Sequence, residues 1–409
     1  MDNKYLVING GSSSLKFSLY NDKKEELVNG YIQKIGLEDS FYTLKYDGKK
    51  IEKLCKINNH VDACSVMISE LLDNGFIFDT NEIVGIGHRV LHGAEFYNES
   101  VLIDDEVINN LKSIIDLGGL HLPGEISVIE CIKNVLPDIK QVAVFDTAFH
   151  QTMKSDRYIY PIKYEYYEKY GVRKYGFHGT SYNYINNVMK EKLKIENPNL
   201  IICHIGSGAS VCAIENGECV DTSMGLTPLD GLMMGTRSGS IDPAIVDYLV
   251  KKTGKSVDEI TDELNKQSGM VGLCGKSDLR DVDELINKCN KKAILAMKIY
   301  INSIIKYIAE YYFLLQGDVN AIVFTAGVGE NNSYVRREVV NYISNIIGSK
   351  LNKEMNDSIA SFKNIKEGII TTDDSICPVY VVPTDEESMI LTDTIRLTKN
   401  DKKLIKRRK

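Results

Sequence analysis

From Tyr5 to Ile8 the chain is apolar, and from Asn9 to Ser14 it is small and polar. It then alternates, with Leu15, Phe17 and Leu19 set against Lys16, Ser18 and Tyr20. That sequence of patterns predicts strand, tight turn, strand. The same grammar returns at Leu200–His204 (apolar), Gly206–Ser210 (turn) and Val211–Ile214 (return strand), and a third apolar run, Ala321–Thr325, ends in Gly327 and Gly329. Ile83–His88 predicts a strand leading to Arg89, and Gln141–Phe145 one leading to Asp146. Ile126, Ile129, Ile132 and Leu136 are spaced for an amphipathic helix closed by Pro137, and 242–264 and 281–316 are also helical in pattern. The most apolar of these, Lys291 to Gln316, carries Lys298, Asn302, Lys306 and Glu310 at four-residue spacing, with Gly317 as a stop. One polar face excludes a lipid span and predicts burial of the other faces, against the same domain or in a dimer interface.

Two glycines and short hydroxyls let the backbone N–H groups of 9–14, with Ser12 and Ser14, close around phosphate oxygens, and Lys16 sets a cation at the rim. The second turn offers His204, Ile205, Gly206, Ser207 and Gly208 in the same arrangement. Two phosphate hairpins and a glycine-rich strand end, in this order, predict an α/β chain with a duplicated actin-like (ribonuclease H-like) ATPase fold. Its two domains are expected to enclose a nucleotide cleft. The boundary is expected near Phe149–Pro161, giving a domain of 1–150 completed by a C-terminal helix at about 386–400, a second domain of 151–385, and a basic tail at 401–409. Gly269–Ser277 resembles a phosphate-binding loop with one residue too many between its glycines, and Gly85-Ile-Gly87 is an incomplete dinucleotide fingerprint.

The chain has 409 residues, enough for two cores, and a net charge of −7, which argues against a nucleic-acid partner. Its nine cysteines form no Cys-x-x-Cys pair, and Cys203 and Cys212 fall within apolar strands, so they read as small core residues of a reducing cytosol. The opening residues read as strand and turn rather than as a secretion signal.

Longer motifs identify a family. Asn9-Gly-Gly-Ser-Ser-Ser-Leu-Lys-Phe17, Gly87-His-Arg-Val-Leu-His-Gly93, Val144-Phe-Asp-Thr-Ala-Phe-His-Gln-Thr-Met153, Tyr175-Gly-Phe-His-Gly-Thr-Ser181, Asp221 to Gly239, Phe324 to Asn331 and Pro383-Thr-Asp-Glu-Glu387 together resemble acetate kinase. The resemblance runs from residue 5 to about 395. It implies reversible transfer of the ATP γ-phosphoryl group to a short carboxylate such as acetate, with Mg²⁺ (or Mn²⁺) and a homodimer.

Phosphoryl transfer needs little covalent help and much positioning of negative charge. Arg89 has the planar fork that grips a carboxylate, Arg237 can stabilise the equatorial oxygens of the transferring group, and His178 can donate to the same oxygens. Asp146 matches the family's essential aspartate. Because a carboxylate nucleophile is already ionised at neutral pH, orientation of an arginine or of metal-bound water is the favoured role, acid–base catalysis the alternative. The resemblance further assigns Asn9 and Glu386 to the metal. It gives Asp278, Leu279, Arg280 and Gly327, Val328, Gly329, Glu330 and Asn331 to adenosine, and Leu91, Leu120, Phe177 and Pro228 to the wall around the methyl group.

Four positions depart from the family pattern: Ser207 for Asn, Ser240 for Asp, Leu122 for the Asn of His-Asn-Pro, and Tyr182 for His. Leu122 bears on substrate choice, so a propionate or butyrate kinase is the runner-up. A non-catalytic actin-like nucleotide-binding protein is the reading from another class, and Arg89, His178 and Arg237 argue against it.

Overall fold

A computed structural model describes the backbone at residues 3–119 and 121–407 and side chains as far as residue 399. The chain forms two compact units, Met1–Phe149 with Asp385–Lys409, and His150–Thr384.

In the first unit the described strands are β1 (Lys4–Gly10), β2 (Ser14–Asn21), β3 (Glu26–Gln33), β4 (Phe41–Tyr46), β5 (Lys49–Leu54), β6 (Ile83–Val90), β7 (Val101–Leu102) and β8 (Gln141–Phe145). They form one sheet in the order β5-β4-β3-β2-β1-β6-β8-β7. From β5 to β1 neighbours are antiparallel, while β1, β6 and β8 are parallel. In the second unit β9 (Leu200–Ile205), β10 (Ala209–Glu215), β11 (Glu218–Thr222), β12 (Ala321–Thr325), β13 (Gly368–Ile369) and β14 (Val379–Val381) take the order β11-β10-β9-β12-β14-β13. Here β9 and β10 are antiparallel, and β9, β12 and β14 are parallel. The run β3-β2-β1-β6-β8 is therefore repeated as β11-β10-β9-β12-β14. Each unit carries an antiparallel meander whose first strand is continued by parallel strands.

Both faces of the first sheet are covered. Leu6, Ile8, Leu15, Phe17 and Ile86 pack against the helices His60–Asp73 and Leu122–Val135. On the other face Tyr5, Val7, Val142 and Val144 meet Ile390 and Leu391 of the helix Glu386–Arg407. This is why Ser18 and Tyr20, on the polar side of an alternating strand, are buried: both donate to Glu387 of that helix. Gly85 and Gly87 have the same cause. A Cβ on Gly87 would stand 2.2 Å from Thr394 Oγ1 and 2.7 Å from Ile390 Cγ2, so these glycines serve close helix–sheet packing rather than a dinucleotide turn.

In the second unit the helix Lys291–Leu314 buries Ala293, Met297, Tyr300, Ile304 and Ile308 and leaves Lys298, Asn302, Lys306 and Glu310 exposed, as its spacing predicts. The helical stretch expected over 242–264 is two helices, Ala244–Thr253 and Val257–Lys266, and other boundaries also differ from expectation. The helix predicted from Ile126 begins one turn earlier, at Leu122, because Pro123 fits a first helical turn. Residues 401–407, expected as a free tail, continue the last helix, although their side chains lie outside the described residues.

Candidate active site

In the first unit, parallel β1, β6 and β8 end side by side and deliver Asn9, Arg89 and, one residue past β8, Asp146. Arg89 Nη2 and Nε donate to the two Asp146 oxygens at 2.5 and 3.3 Å, and Nη1 lies 3.4 Å from Asn9 Oδ1. Asp146 is 1% exposed. The Asp146 charge raises the Arg89 guanidinium well above its usual range against the opposing effect of burial, so Arg89 is permanently charged. Glu386, at the start of the last helix, belongs to the same cluster. Burial pushes its carboxyl up to about 7, with Arg89 pulling it down and Asp146 pushing it up. An amide oxygen and a carboxylate that pays a burial penalty are hard-oxygen donors of the kind Mg²⁺ takes, and the ion's charge would offset the penalty.

Lys16, expected at the rim of the first phosphate turn, is ion-paired with Glu387. Ser12 is exposed and Ser14 half-buried at that turn, and His60 Nε2 holds the Gly11 carbonyl at 2.7 Å. Leu91 is buried in the chain just beyond Arg89. Leu122 is fully buried, lies against Gly118 and opens the helix Leu122–Val135. Leu120 lies outside the described residues.

No motif pointed to Glu125. Its Oε2 accepts the Leu91 N–H at 3.0 Å, and its Oε1 has no hydrogen-bond partner among the described residues. The signal was present: Glu125 shares a helical stripe with Val128, Ile129 and Ile132, where an acid must be buried. Burial raises its carboxyl to about 8, opposed by the Leu91 N–H and Arg89. Between its ordinary 4.5 and about 8, the folded chain keeps a proton that the unfolded chain releases. Stability therefore falls with rising pH by about 1.4 kcal/mol per pH unit from this group. Glu125→Gln removes the effect, so its thermal midpoint should gain on the parent's steadily from about pH 5 to about pH 8. A difference that stays constant over that range rejects the assignment.

In the second unit His178, in the left-handed region (φ 59°), immediately precedes the helix Gly179–Leu193. Its ring stacks on His204 at 4.1 Å between centroids. His178 Nδ1 is 2.8 Å from Ser210 Oγ, which is also bonded to the Tyr182 hydroxyl. His204 Nδ1 is 2.8 Å from Ser181 Oγ, itself 2.7 Å from Thr384 Oγ1. The Tyr182 departure thus still reaches His178 through Ser210 of the β9–β10 hairpin, and burial keeps its phenol protonated.

Arg237 reaches the same hairpin. A Cβ on Gly208 would stand 3.4 Å from both Arg237 Nη1 and His178 Nε2, so these two side-chain nitrogens converge over the backbone of that glycine. Arg237 is held by the Pro228 carbonyl at 3.3 Å and pairs with no carboxylate among the described residues. Burial lowers its pKa. Ser240 bonds Asp230, Gly231 and Tyr307, which closes the loop around Arg237. Phe177 is buried and Pro228 half-buried beside this group.

The adenosine candidates adjoin the hairpin. Gly206 lies against Ala326 and Gly327 across β9 and β12, and Gly235 lies between the Ser207 and Ser277 carbonyls. Asp278 caps the helix Leu279–Asn287 and pairs with exposed Arg280. Gly327 faces open space. Asn331 receives Ser361, and Glu330 receives the Thr384 N–H. Arg336, which the sequence did not signal, is fully buried and donates five hydrogen bonds to Gly329, Glu330, Asn356 (Oδ1 and carbonyl) and Ile359. It pins the glycine-rich strand end from below.

The model of the Acetokinase family matches residues 4–392. The acetate kinase of Anoxybacillus flavithermus is 46% identical over 398 residues, covering 96% of this chain and 98% of that protein. Among solved structures, Porphyromonas gingivalis acetate kinase superposes with a TM-score of 0.91 at 40% identity, covering 97% of this chain and 99% of that one. A propionate kinase from Francisella tularensis superposes with a TM-score of 0.90 at 39% identity, covering 97% and 100%. The repeated strand order and these likenesses give the duplicated actin-like ATPase fold. The chain belongs to the acetokinase family.

Proposed function

We propose that this chain transfers the γ-phosphoryl group of ATP to acetate, reversibly and in line, giving acetyl phosphate and ADP. The observation that carries the reading is the convergence of Arg237 Nη1 and His178 Nε2 over Gly208, two donors with a phosphate-type hairpin beneath them. In this reading the Gly206–Gly208 backbone holds the nucleotide phosphates, and Asp278–Arg280 and Gly327–Asn331 hold adenosine. Arg237 meets the charge that spreads over the equatorial oxygens during transfer. His178 donates from Nε2, which places the Ser210 O–H on Nδ1 and the Tyr182 O–H on Ser210.

Arg89 binds the acetate carboxylate, whose oxygen attacks. Asp146 is the positioning residue that fixes the Arg89 fork, and nothing in the step requires it to take a proton. Asn9 and Glu386 would hold Mg²⁺, which when bound neutralises phosphate charge. We place the protein in the cytosol as a homodimer. Nine unpaired cysteines support the first, and exposed Leu295 and Ile299 on the helix Lys291–Leu314 support the second. No helix among the described residues is long and apolar enough to cross a membrane.

Acetate-dependent ADP formation, with acetyl phosphate trapped as hydroxamate, tests the activity. Its absence would return the chain to the non-catalytic class. The acyl preference is proposed from the bulk of the residues that the resemblance gives to the methyl wall, Leu91, Leu120, Phe177 and Pro228: an extra methylene, which otherwise gains about 0.8 kcal/mol by burial, should clash there. A clash reverses that gain, so acetate should exceed propionate in kcat/KM by about 10–200-fold, with butyrate poorer still. Leu91→Ala should narrow or invert the order. A parent enzyme that prefers propionate rejects acetate as the substrate in favour of the propionate kinase reading.

A further inference from the structure

Apart from the phosphoryl-transfer groups, His150, Cys212 and Cys219 meet in the interior of the second unit, each 0% exposed. Nδ1 of His150 and the two Sγ atoms lie within 4.8 Å of one another. Nδ1 is 3.1 Å from Cys219 Sγ, which is 3.5 Å from Cys212 Sγ. His150 Nε2 is 2.9 Å from the Phe177 carbonyl. A carbonyl can only accept, so Nε2 carries the proton and the Nδ1 lone pair faces the sulfurs. Histidine ligands are held this way, one nitrogen toward the metal and the other N–H fixed by an oxygen.

We propose that His150, Cys212 and Cys219 form a three-coordinate site for one soft monovalent cation of the copper(I) type. Thiolate donors favour such ions, whereas zinc asks for four ligands. Among the described residues no fourth His, Cys or carboxylate joins the group. The nearby Asp221 carboxylate is drawn to other partners, its Oδ1 accepting from Lys174 at 2.5 Å and from the Thr222 N–H at 2.7 Å. Binding forms two metal–sulfur bonds and one metal–nitrogen bond, releases both thiol protons to solvent and leaves the oxidation state unchanged. Entry is through β11, which carries Cys219 and is the edge strand of its sheet, the part that opens at least cost.

The test uses the full chain, reduced and metal-free, with the three cysteines that are not buried replaced (Cys55→Ser, Cys274→Ser, Cys289→Ser). Titrated anaerobically with copper(I) against bicinchoninate, it should withdraw one equivalent and gain thermal stability, since the ion binds the folded form. Cys212→Ala and Cys219→Ala, checked for folding by near-ultraviolet circular dichroism, should each abolish the retention and the gain. X-ray absorption of the copper-loaded parent should read two sulfurs and one nitrogen, a result independent of any variant. No retention in the parent, undiminished retention in the alanine variants, or a shell lacking nitrogen overturns the proposal.

Discussion

Arg237→Ala should lower kcat by about 10³–10⁵ while leaving the KM for acetate nearly unchanged. Arg237 is half-buried, is anchored only through one Nη1 contact to the Pro228 carbonyl and one to the Met234 sulfur, and pairs with no carboxylate among the described residues. In the proposed role its charge is balanced when phosphoryl oxygens stand above Gly208, and most fully when charge spreads over them in the transition state. Its removal leaves no buried partner stranded, so the thermal midpoint should hardly move. Steady-state kinetics and a melting curve on one preparation suffice, and a loss carried entirely by KM would reject the transition-state role.

Arg89→Ala should lose activity in a different way. Arg89 is read as meeting the carboxylate in the ground state too, so the acetate KM should rise along with the fall in kcat. Losing charge-assisted bonds of about 1.5–3 kcal/mol corresponds to about 10–150-fold in KM. Asp146, 1% exposed, would then be buried without its bidentate partner, an arrangement that costs roughly 3–5 kcal/mol. The variant should melt well below the parent, which Arg237→Ala should not. Arg89→Lys keeps the charge but not the fork, so it should restore stability more than KM. Equal, purely KM-based losses in the two alanine variants would reject the division of labour.

The strands that carry chemistry were legible because they are apolar runs ending in glycine or in a lone charged residue. β1, β6, β8, β9 and β12 all have that form, and Arg89 and Asp146 stand at or just past such ends. What stayed hidden depends on contacts distant in sequence. Ser18 and Tyr20 looked solvent-facing because Glu387, their acceptor, is more than 360 residues away. Gly85 and Gly87 form only an incomplete dinucleotide fingerprint, and their packing role depends on Ile390, Thr394 and Thr398, about 300 residues away. Arg336 carries no pattern at all, since its acceptors are mostly main-chain carbonyls. Leu122 lies in the first turn of a helix whose apolar spacing is legible only from Ile126.

The helix Glu386–Arg407 gives synthesis of this chain a definite order. It supplies Ile390 and Leu391 to a face of the first sheet whose other members, Tyr5, Val7, Val142 and Val144, emerge from the ribosome long before it. Until that helix is made, Tyr5, Val7, Val142 and Val144 lack the Ile390 and Leu391 they pack against, although the second unit already has all its described strands. The first unit to be translated is thus the last to be completed. A nascent or prematurely ended chain presents the apolar strip around Tyr5 and Val144 to chaperones and proteases, and it lacks Glu386 as well. Quality control can therefore recognise an unfinished chain by the same missing segment that leaves it without Glu386, the carboxylate proposed for the metal.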